Sequence, residues 1–373
     1  MQPASLMAIP LCPYFGTCGG CSAQHIDYTV QVENKKKALA HALGFADIRV
    51  FTGEPYHYRN RMDFYFHPHG WGLRQKGKPG KIVNVQQCPI AEERLNCLLS
   101  EARSFFQKVD AFDAQQKTGT FRSAVIRIPR ESSAIAFILH ADSSRLPEAL
   151  EQIEQFAKKT TADTVLASFQ DAETSFSDDY QVIKGKDVLQ ETFLGKHFNF
   201  PLLGFFQNNT LIAEQMQVYV QELMQHYETK QAHLLDLYGG VGTFGICNAD
   251  LFSSTTIVEA IPAAIACAQR NIRENHAKNA VTLLLDAKQL KKVPLAKPLF
   301  VITDPPRSGM DQKTILRLKE LQPEAIIYIS CNIQQLKRDV PKFSAYTIKS
   351  AALFDLFPQT PHSEAVVELV RRK

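Results

Sequence analysis

Cysteines occupy two kinds of position in this 373-residue chain, and each kind suggests a different chemistry. Cys12, Cys18 and Cys21 crowd one loop with C-x5-C-x2-C spacing, and a fourth, Cys88, stands just before Pro89. Four thiolates gathered at one point suit zinc or an iron–sulfur cluster. Gly16, Gly19 and Gly20 permit the tight turns that three ligands on a short loop require. Tyr14 and Phe15 are placed to shield such a site, and a Cys-Pro step is used in iron–sulfur runs, so a cluster is favoured over zinc. The spacing differs from the C-x3-C-x2-C of radical enzymes. Cys97, Cys247 and Cys267 lie in helical stretches and read as small buried hydrophobes.

Cys331 is of the second kind. It closes the apolar run AIIYISC, while Asp304 opens a rigid Asp-Pro-Pro-Arg turn after the run LFVIT. Both ends belong to one crevice if the runs are parallel strands of an open α/β sheet. A free thiol beside an acid that faces a planar heterocycle is a candidate nucleophile. Carbon-5 of uracil is too weakly nucleophilic to take a methyl group directly. A thiolate adding at carbon-6 turns the ring into an enolate, and a base must afterwards remove the carbon-5 proton. Glu364 and His362, in FPQTPHSEAVV, are the candidates for that base. The plainer alternative for Cys331 is a buried residue at a strand end.

These residues require a particular scaffold. From about residue 201 the sequence alternates apolar strands with helical stretches, the pattern of a doubly wound parallel sheet. LLDLYGGVGTFGI is a strand, a glycine turn and a helix start, and Glu259 ends the next strand, placed to accept from ribose hydroxyls. NAD enzymes and enzymes using S-adenosylmethionine (SAM) share that much. Asp286, expected at the end of the following strand to accept from an adenine amino group, and the Asp304-Pro305-Pro306 turn favour SAM. The amino-terminal half has another texture: a helix over VQVENKKKALAHALGF, antiparallel strands from about Ile48 to Pro89, and further strand-like pieces with a helix near 147–158. Between Tyr56 and Lys81 lie six aromatic and six Lys or Arg residues against one Asp, the texture of a surface that tracks phosphates and stacks bases, or of a solvated strand pair. The boundary is expected near residue 200, giving domains 1–200 and 201–373.

Composition excludes other classes. With 45% hydrophobic and 21% charged residues, the chain is neither disordered nor low-complexity. A net charge of +4 does not demand a large polyanion surface but leaves room for a local basic patch. No apolar run suits a membrane span, and Met1 to Leu11 lacks the features of a secretory signal, so a cytoplasmic protein is expected. No obligate protein partner is evident.

Five motifs together resemble the RNA uracil-C5 methyltransferase family: SCN-x-x-x-L-x-x-D from Ser330 to Asp339, FP-x-T-x-H-x-E from Phe357 to Glu364, DLY-x-G-x-G-x-F from Asp236 to Phe244, DPPR at Asp304, and FFQ-x-N from Phe205 to Asn209. The cysteine set is similar to that holding a [4Fe–4S] cluster in the 23S rRNA branch, and the bacterial tRNA branch lacks it. The resemblance implies an α/β enzyme with a SAM-dependent methyltransferase domain behind an α+β iron–sulfur domain. It implies that Cys331 is the nucleophile and Glu364 the base, that Gln207, Tyr238, Glu259 and Asp286 hold SAM, and that Asp304 lies where SAM and uracil meet. Cys12, Cys18, Cys21 and Cys88 are the implied cluster ligands. Structured RNA is the implied substrate, with 23S rRNA favoured and tRNA the alternative; a non-catalytic RNA-binding protein is the other-class alternative. Gly239 stands where the family usually has Cys, and Thr243 where an Asn often lies. Many members carry an amino-terminal RNA-binding barrel, which is expected to be absent because the cysteine loop begins at residue 12.

Overall fold

The structure, a computed structural model, describes residues 7–68, 70–171 and 179–372. Residues 1–6 of the expected signal-free amino terminus, and His69 of the basic aromatic segment, lie outside the described residues. The chain begins with α1 (Tyr28–Leu43), β1 (Ile48–Phe51), β2 (Arg61–His67), β3 (Gly70–Gln75), β4 (Lys78–Asn84) and α2 (Glu93–Phe105). Then come β5 (Phe121–Arg127), β6 (Ala134–His140), α3 (Leu146–Ala157), β7 (Thr164–Gln170), β8 (Tyr180–Lys184), β9 (Val188–Phe193) and β10 (Lys196–Pro201). Next are α4 (Thr210–Gln225), β11 (His233–Leu237), α5 (Thr243–Asn248), β12 (Ser254–Glu259), α6 (Pro262–Glu274) and β13 (Ala280–Leu284). The last are β14 (Leu299–Thr303), α7 (Gln312–Leu321), β15 (Ala325–Ser330), α8 (Ile333–Asp339), β16 (Tyr346–Phe354) and β17 (Glu364–Arg371).

The chain forms two compact units. The first comprises Met1–Tyr28 and Glu54–Gln190, the second Thr29–Gly53 and Glu191–Lys373. In the first, the described strands form a sheet in the order β4-β3-β2-β5-β6-β7-β8, antiparallel except at β6·β7, where α3 makes the crossover. Aromatic rings fill its core, with Phe106 and Phe137 4.9 Å apart and Trp71 edge-on to Phe137.

In the second unit the order is β1-β16-β17-β15-β14-β11-β12-β13. β17 runs antiparallel between β15 and β16, and the other pairs are parallel. The chain steps outward from β11 through β12 to β13, then returns to β14 on the other side of β11. A topological switch point therefore lies between β11 and β14, and an open α/β sheet binds ligands outside the carboxyl ends of its strands there.

One boundary near residue 200 does not describe this arrangement. Residues 29–53 belong to the second unit, and the later division falls at Gln190/Glu191. The cause is long-range pairing: β1 adds to the sheet edge parallel to β16, Ile48 opposite Ala351, and Phe51 stacks on Phe354 at 4.4 Å. The strand expected to be antiparallel at Ile48 is thus a parallel edge strand. Cys247 and Cys267 are buried as expected, but Cys97 is exposed on α2, its side chain on the helix face away from the buried Leu95, Leu98 and Leu99. Among the described residues, no helix is long and apolar enough to cross a membrane.

Candidate active site

Strand register assembles the site. β15 and β17 pair antiparallel with Ser330 opposite Ala365, so the next step of the ladder sets Cys331 opposite Glu364. On the other side of β15, Thr303 at the end of β14 lies opposite Tyr328, which brings Asp304 to the same sheet edge. Leu237, opposite Thr303, ends β11 and leads into the glycine turn. Cys331, Glu364, Asp304 and the turn at 238–242 therefore share the carboxyl edge of the parallel strands.

Electrostatics tie these groups together. Burial, then the charges of Glu364 and Asp304, push the Cys331 thiol up to about 11, while Arg307 pulls it back. Glu364 is 5% exposed, and its proton is held well above the ordinary carboxylate range by burial and by Asp304, with Arg307 opposing. Burial raises Asp304 as well. Glu364 Oε2 is buried without a hydrogen-bond partner. Burial thus disfavours the charged forms of the thiol and of both carboxyls, so a carboxylate formed here is a stronger base than one in water. His362, the other candidate base, has its charged form disfavoured by burial, Arg307 and Lys35.

Arg307 is the residue the sequence reading passed over. It was noted only as the end of the DPPR turn, yet it is the cation acting on Cys331, Glu364 and His362 alike. Two motif residues hold its loop. The Asn332 side chain donates to the Arg307 carbonyl at 3.0 Å while its Oδ1 accepts from the N–H groups of Gln334 and Gln335, capping α8. Asp339 is fully buried and accepts from the Tyr328 hydroxyl (2.7 Å), the Met310 N–H (3.4 Å) and Lys342 (2.7 Å). Gly309, with φ +77°, passes so close that a Cβ would meet Asp339 Oδ2 at 2.4 Å.

The expected SAM residues surround the glycine turn unevenly. Gly240 and Gly242 adopt positive φ, and Gly245 lets α5 approach β12, since a Cβ there would meet Ile257 at 2.8 Å. Asp236, pushed up to about 7 by burial, accepts from the Gly245 N–H at 2.8 Å and so braces the turn. Glu259 accepts from the Gly240 N–H at 3.0 Å and from Ala260 and Ile261. Tyr238 has φ +62°, and its hydroxyl interacts with Thr314, away from solvent. Gln207 lies just before Asn209, the N-cap of α4. Asp286 does not end β13; it stands two residues later, exposed, and caps the following short 3-10 helix through Lys288.

The residues present fit SAM. At neighbouring strand ends, Glu259 is flanked by the exposed apolar side chains of Ile261 (52%) and Leu284 (55%). That combines acceptors for ribose hydroxyls with apolar surface for a purine, and Asn208 Oδ1 near Gln207 is a buried acceptor without a partner.

In the first unit, Cys12, Cys18, Cys21 and Cys88 line one cavity of about 540 Å³. The loop is pinned to β3, with the Gly19 N–H on the Arg74 carbonyl and the Lys76 N–H on that of Thr17. Asn96 of α2 clasps Cys88 by accepting from its N–H (2.8 Å) and donating to its carbonyl (3.0 Å). Burial first, and neighbouring thiols after it, drive Cys21 up to about 11 and Cys88 up to about 12. The Gly20 N–H points at Cys18 Sγ (3.4 Å). Among the described residues, however, no three His, Cys, Asp or Glu side chains are close enough to hold a metal ion, so a preformed metal site is not shown. Arg59, Arg74 and Lys76 of the basic aromatic segment line the same cavity, and Arg74 lies over the Tyr65 ring at 4.6 Å.

Residues 27–372 match the tRNA (Uracil-5-)-methyltransferase family. The tRNA (uracil(54)-C(5))-methyltransferase of Pyrococcus abyssi is 29% identical over 373 residues, covering 99% of this chain and 88% of the relative. Its counterpart in Pyrococcus horikoshii is 30% identical, covering 96% and 85%. The crystal structure of the P. abyssi enzyme in complex with S-adenosyl-L-homocysteine superposes with a TM-score of 0.78 at 27% identity, covering 94% of this chain and 86% of that one. With a switch-point crevice, a thiol paired across strands with a carboxyl, and these relatives, the chain belongs to the tRNA (uracil-5-)-methyltransferase family and is a SAM-dependent RNA (uracil-5-)-methyltransferase.

Proposed function

We propose that this enzyme methylates carbon-5 of a uridine in tRNA through a covalent Cys331 adduct. The observation that carries the reading is the strand register that sets Cys331 opposite Glu364 with Asp304 beside them. The sequence favoured 23S rRNA because of the cysteine set. The named relatives instead support the tRNA alternative, since both Pyrococcus proteins act on tRNA uracil by name.

In this mechanism Cys331 first loses its proton to bulk water; the thiolate sulfur then bonds to carbon-6, and the electrons of the carbon-5–carbon-6 double bond move toward the carbon-4 carbonyl. Arg307 stabilises the developing thiolate, and Asp304 faces the ring edge. SAM, when bound, would supply an electrophilic methyl group to carbon-5, its sulfonium sulfur leaving as a neutral thioether. Glu364, in its ionised form, then accepts the carbon-5 proton; the electrons of that C–H bond restore the ring double bond and expel Cys331 as thiolate. Gln207, Tyr238, Glu259 and Asp286 hold SAM in this reading. The target base is flipped from its stack to reach the crevice. The reaction belongs in the cytoplasm, with the tRNA and SAM pools.

For the first unit we propose that Cys12, Cys18, Cys21 and Cys88 hold a [4Fe–4S] cluster. The four cysteines lining one cavity, with Tyr14 and Phe15 also in its lining, support that reading; such a group, when bound, would neutralise the thiolates and join the cysteine loop to the Cys88 segment before α2. The basic aromatic segment beside it is the proposed phosphate-tracking surface.

The deciding experiment maps 5-methyluridine in tRNA and rRNA from cells with and without the gene. Loss confined to tRNA supports the proposal. Loss confined to 23S rRNA overturns the choice of substrate, and no loss overturns the activity.

A further inference from the structure

Glu364 is the first residue of β17, delivered there by the loop 355–363. Its Oε2 has no hydrogen-bond partner, so the backbone of that loop sets where the carboxyl points. The loop holds little of its own: Thr360 donates to the Phe357 carbonyl at 2.8 Å and accepts from the His362 N–H at 3.2 Å, while Pro358 and Pro361 offer no N–H. Outside partners hold it: the Phe51 carbonyl accepts from the Asp355 N–H at 2.9 Å, Asn209 donates to the Leu356 carbonyl at 3.4 Å, and α1 makes the most numerous side-chain contacts. Lys35 Nζ donates to Asp355 Oδ1 at 2.7 Å and to the Phe357 carbonyl at 3.1 Å. Gln31 donates to Gln359 Oε1 at 3.0 Å, and its own Oε1 accepts from the Gln359 N–H at 3.1 Å. Gln31 and Lys35 are one helical turn apart on one face, so a single rigid helix grips the loop at three alternate residues.

Two features show that this contact serves geometry more than stability. Gln31, Lys35, Asp355 and Gln359 are 4%, 5%, 0% and 3% exposed, and burying an ion pair is a poor way to stabilise a fold compared with apolar packing. Gln359 also has φ +67°, a conformation that a side-chain-bearing residue keeps only when its surroundings impose it. Proton abstraction from carbon tolerates little misplacement: an error of about 1 Å costs on the order of 100-fold.

We propose that Gln31 and Lys35 are positioning residues for proton removal. They act through the 355–363 loop on Glu364, and the inference rests on the reading of Glu364 as the base. Only the last step of the reaction, removal of the carbon-5 proton with release of Cys331, depends on this aim. Addition of the thiol depends on Glu364 only through the charge it places beside Cys331.

The test uses full-length protein with SAM and two tRNA transcripts, one with uridine and one with 5-fluorouridine, whose carbon-5 fluorine cannot be removed as a proton. The variants are Gln31→Leu and the pair Lys35→Met/Asp355→Leu, which leaves no lone buried charge. Both are expected to form the adduct on the fluorinated transcript at a rate within about twofold of the unaltered protein. On the uridine transcript, turnover falls by about 10- to 100-fold, and the protein–RNA adduct accumulates. Equal slowing on both transcripts shows a merely structural role and overturns the inference, as does unchanged turnover on uridine RNA. If the unaltered protein forms no adduct on the fluorinated transcript, the reading of Cys331 fails and this inference falls with it.

Discussion

The thiols of the cavity in the first unit and the thiol at the sheet edge of the second rest in the same state for different reasons. Cys21 is pushed up to about 11 and Cys88 to about 12, first by burial and then by other thiols. Cys331 reaches about 11 by burial and two carboxyls, with Arg307 opposing. All three are protonated at neutral pH, so the shift alone does not separate a ligand from a nucleophile. The neighbours do. A ring of thiols can lose its protons together only to a multivalent cation, whereas a thiol beside carboxyls and one arginine can pass a single proton and bond to carbon.

The largest effect that would break this contrast is on turnover. Cys331→Ala is expected to abolish methylation and the covalent RNA adduct, with a loss of at least about 10⁴-fold, as for other deleted nucleophiles. Cys88→Ala is expected to prevent the proposed cluster from assembling while leaving Cys331 able to form adducts in whatever protein stays folded. Normal turnover by Cys331→Ala, read by methyl incorporation into tRNA, would end the distinction.

The next largest is on the proposed cluster. Anaerobically purified protein is expected to be brown, with about four irons per chain. If the proposed cluster is bound, removing it is expected to lower the first unit's melting midpoint by roughly 10 °C, as several kcal/mol of binding energy implies at this size. Metal analysis that returned one zinc in colourless protein would keep the ligands but reverse the cofactor.

The sequence showed these two regions unequally. The second unit's sheet was legible because each strand–helix step carries its own period, and Cys331 and Asp304 were singled out because each ends a strand; Glu364 was singled out with His362 on a Pro-flanked segment, and only the fold shows that it begins β17. Their grouping follows from parallel order plus one antiparallel strand. The three clustered cysteines were legible from glycine-laced spacing, but nothing local shows that Asn96 clasps Cys88. Residues 29–53 were assigned to the wrong unit because α1 and β1 find their partners about 300 positions later, at Asp355 and Ala351, and such pairing leaves no local pattern. Lys35 lies in the run Lys35-Lys36-Lys37, where a solvated face is the ordinary reading; only the fold shows that the first of the three is buried. Asp286 was expected at a strand end because LLLDA is continuous in character, but β13 stops at Leu284 and the Asp caps a turn instead.

The buried Lys35–Asp355 pair sharpens the comparison at intermediate size. Lys35→Met alone strands a carboxylate in the interior and is expected to cost about 3–5 kcal/mol, read as a lower urea midpoint of the second unit. Lys35→Met/Asp355→Leu is expected to recover most of that loss, since matched apolar side chains replace a buried pair at little cost. Failure to recover would mean that the Phe357 carbonyl, left without its donor, matters more than the charge pair.

The smallest effect is on thiol reactivity, and its value lies in its sign. Iodoacetamide captures only thiolate, so Cys331 labelling, followed by peptide mass mapping with exposed Cys97 as the reference, is expected to climb tenfold per pH unit until the pH approaches about 11. Arg307 favours the thiolate. Arg307→Gln therefore raises the Cys331 pKa and slows labelling at any pH below it, by about 3- to 10-fold if the change is half to one unit. Glu364 disfavours the thiolate, so Glu364→Gln lowers the pKa and speeds labelling. Because burial and Asp304 hold the Glu364 proton above the ordinary carboxylate range, this gain is expected to be small at pH 6 and to grow as Glu364 ionises. Opposite responses locate control of the thiol in its charged neighbours. If both substitutions moved the rate the same way, burial alone would set the reactivity of Cys331, and its environment would differ from that of Cys21 or Cys88 in degree rather than in kind.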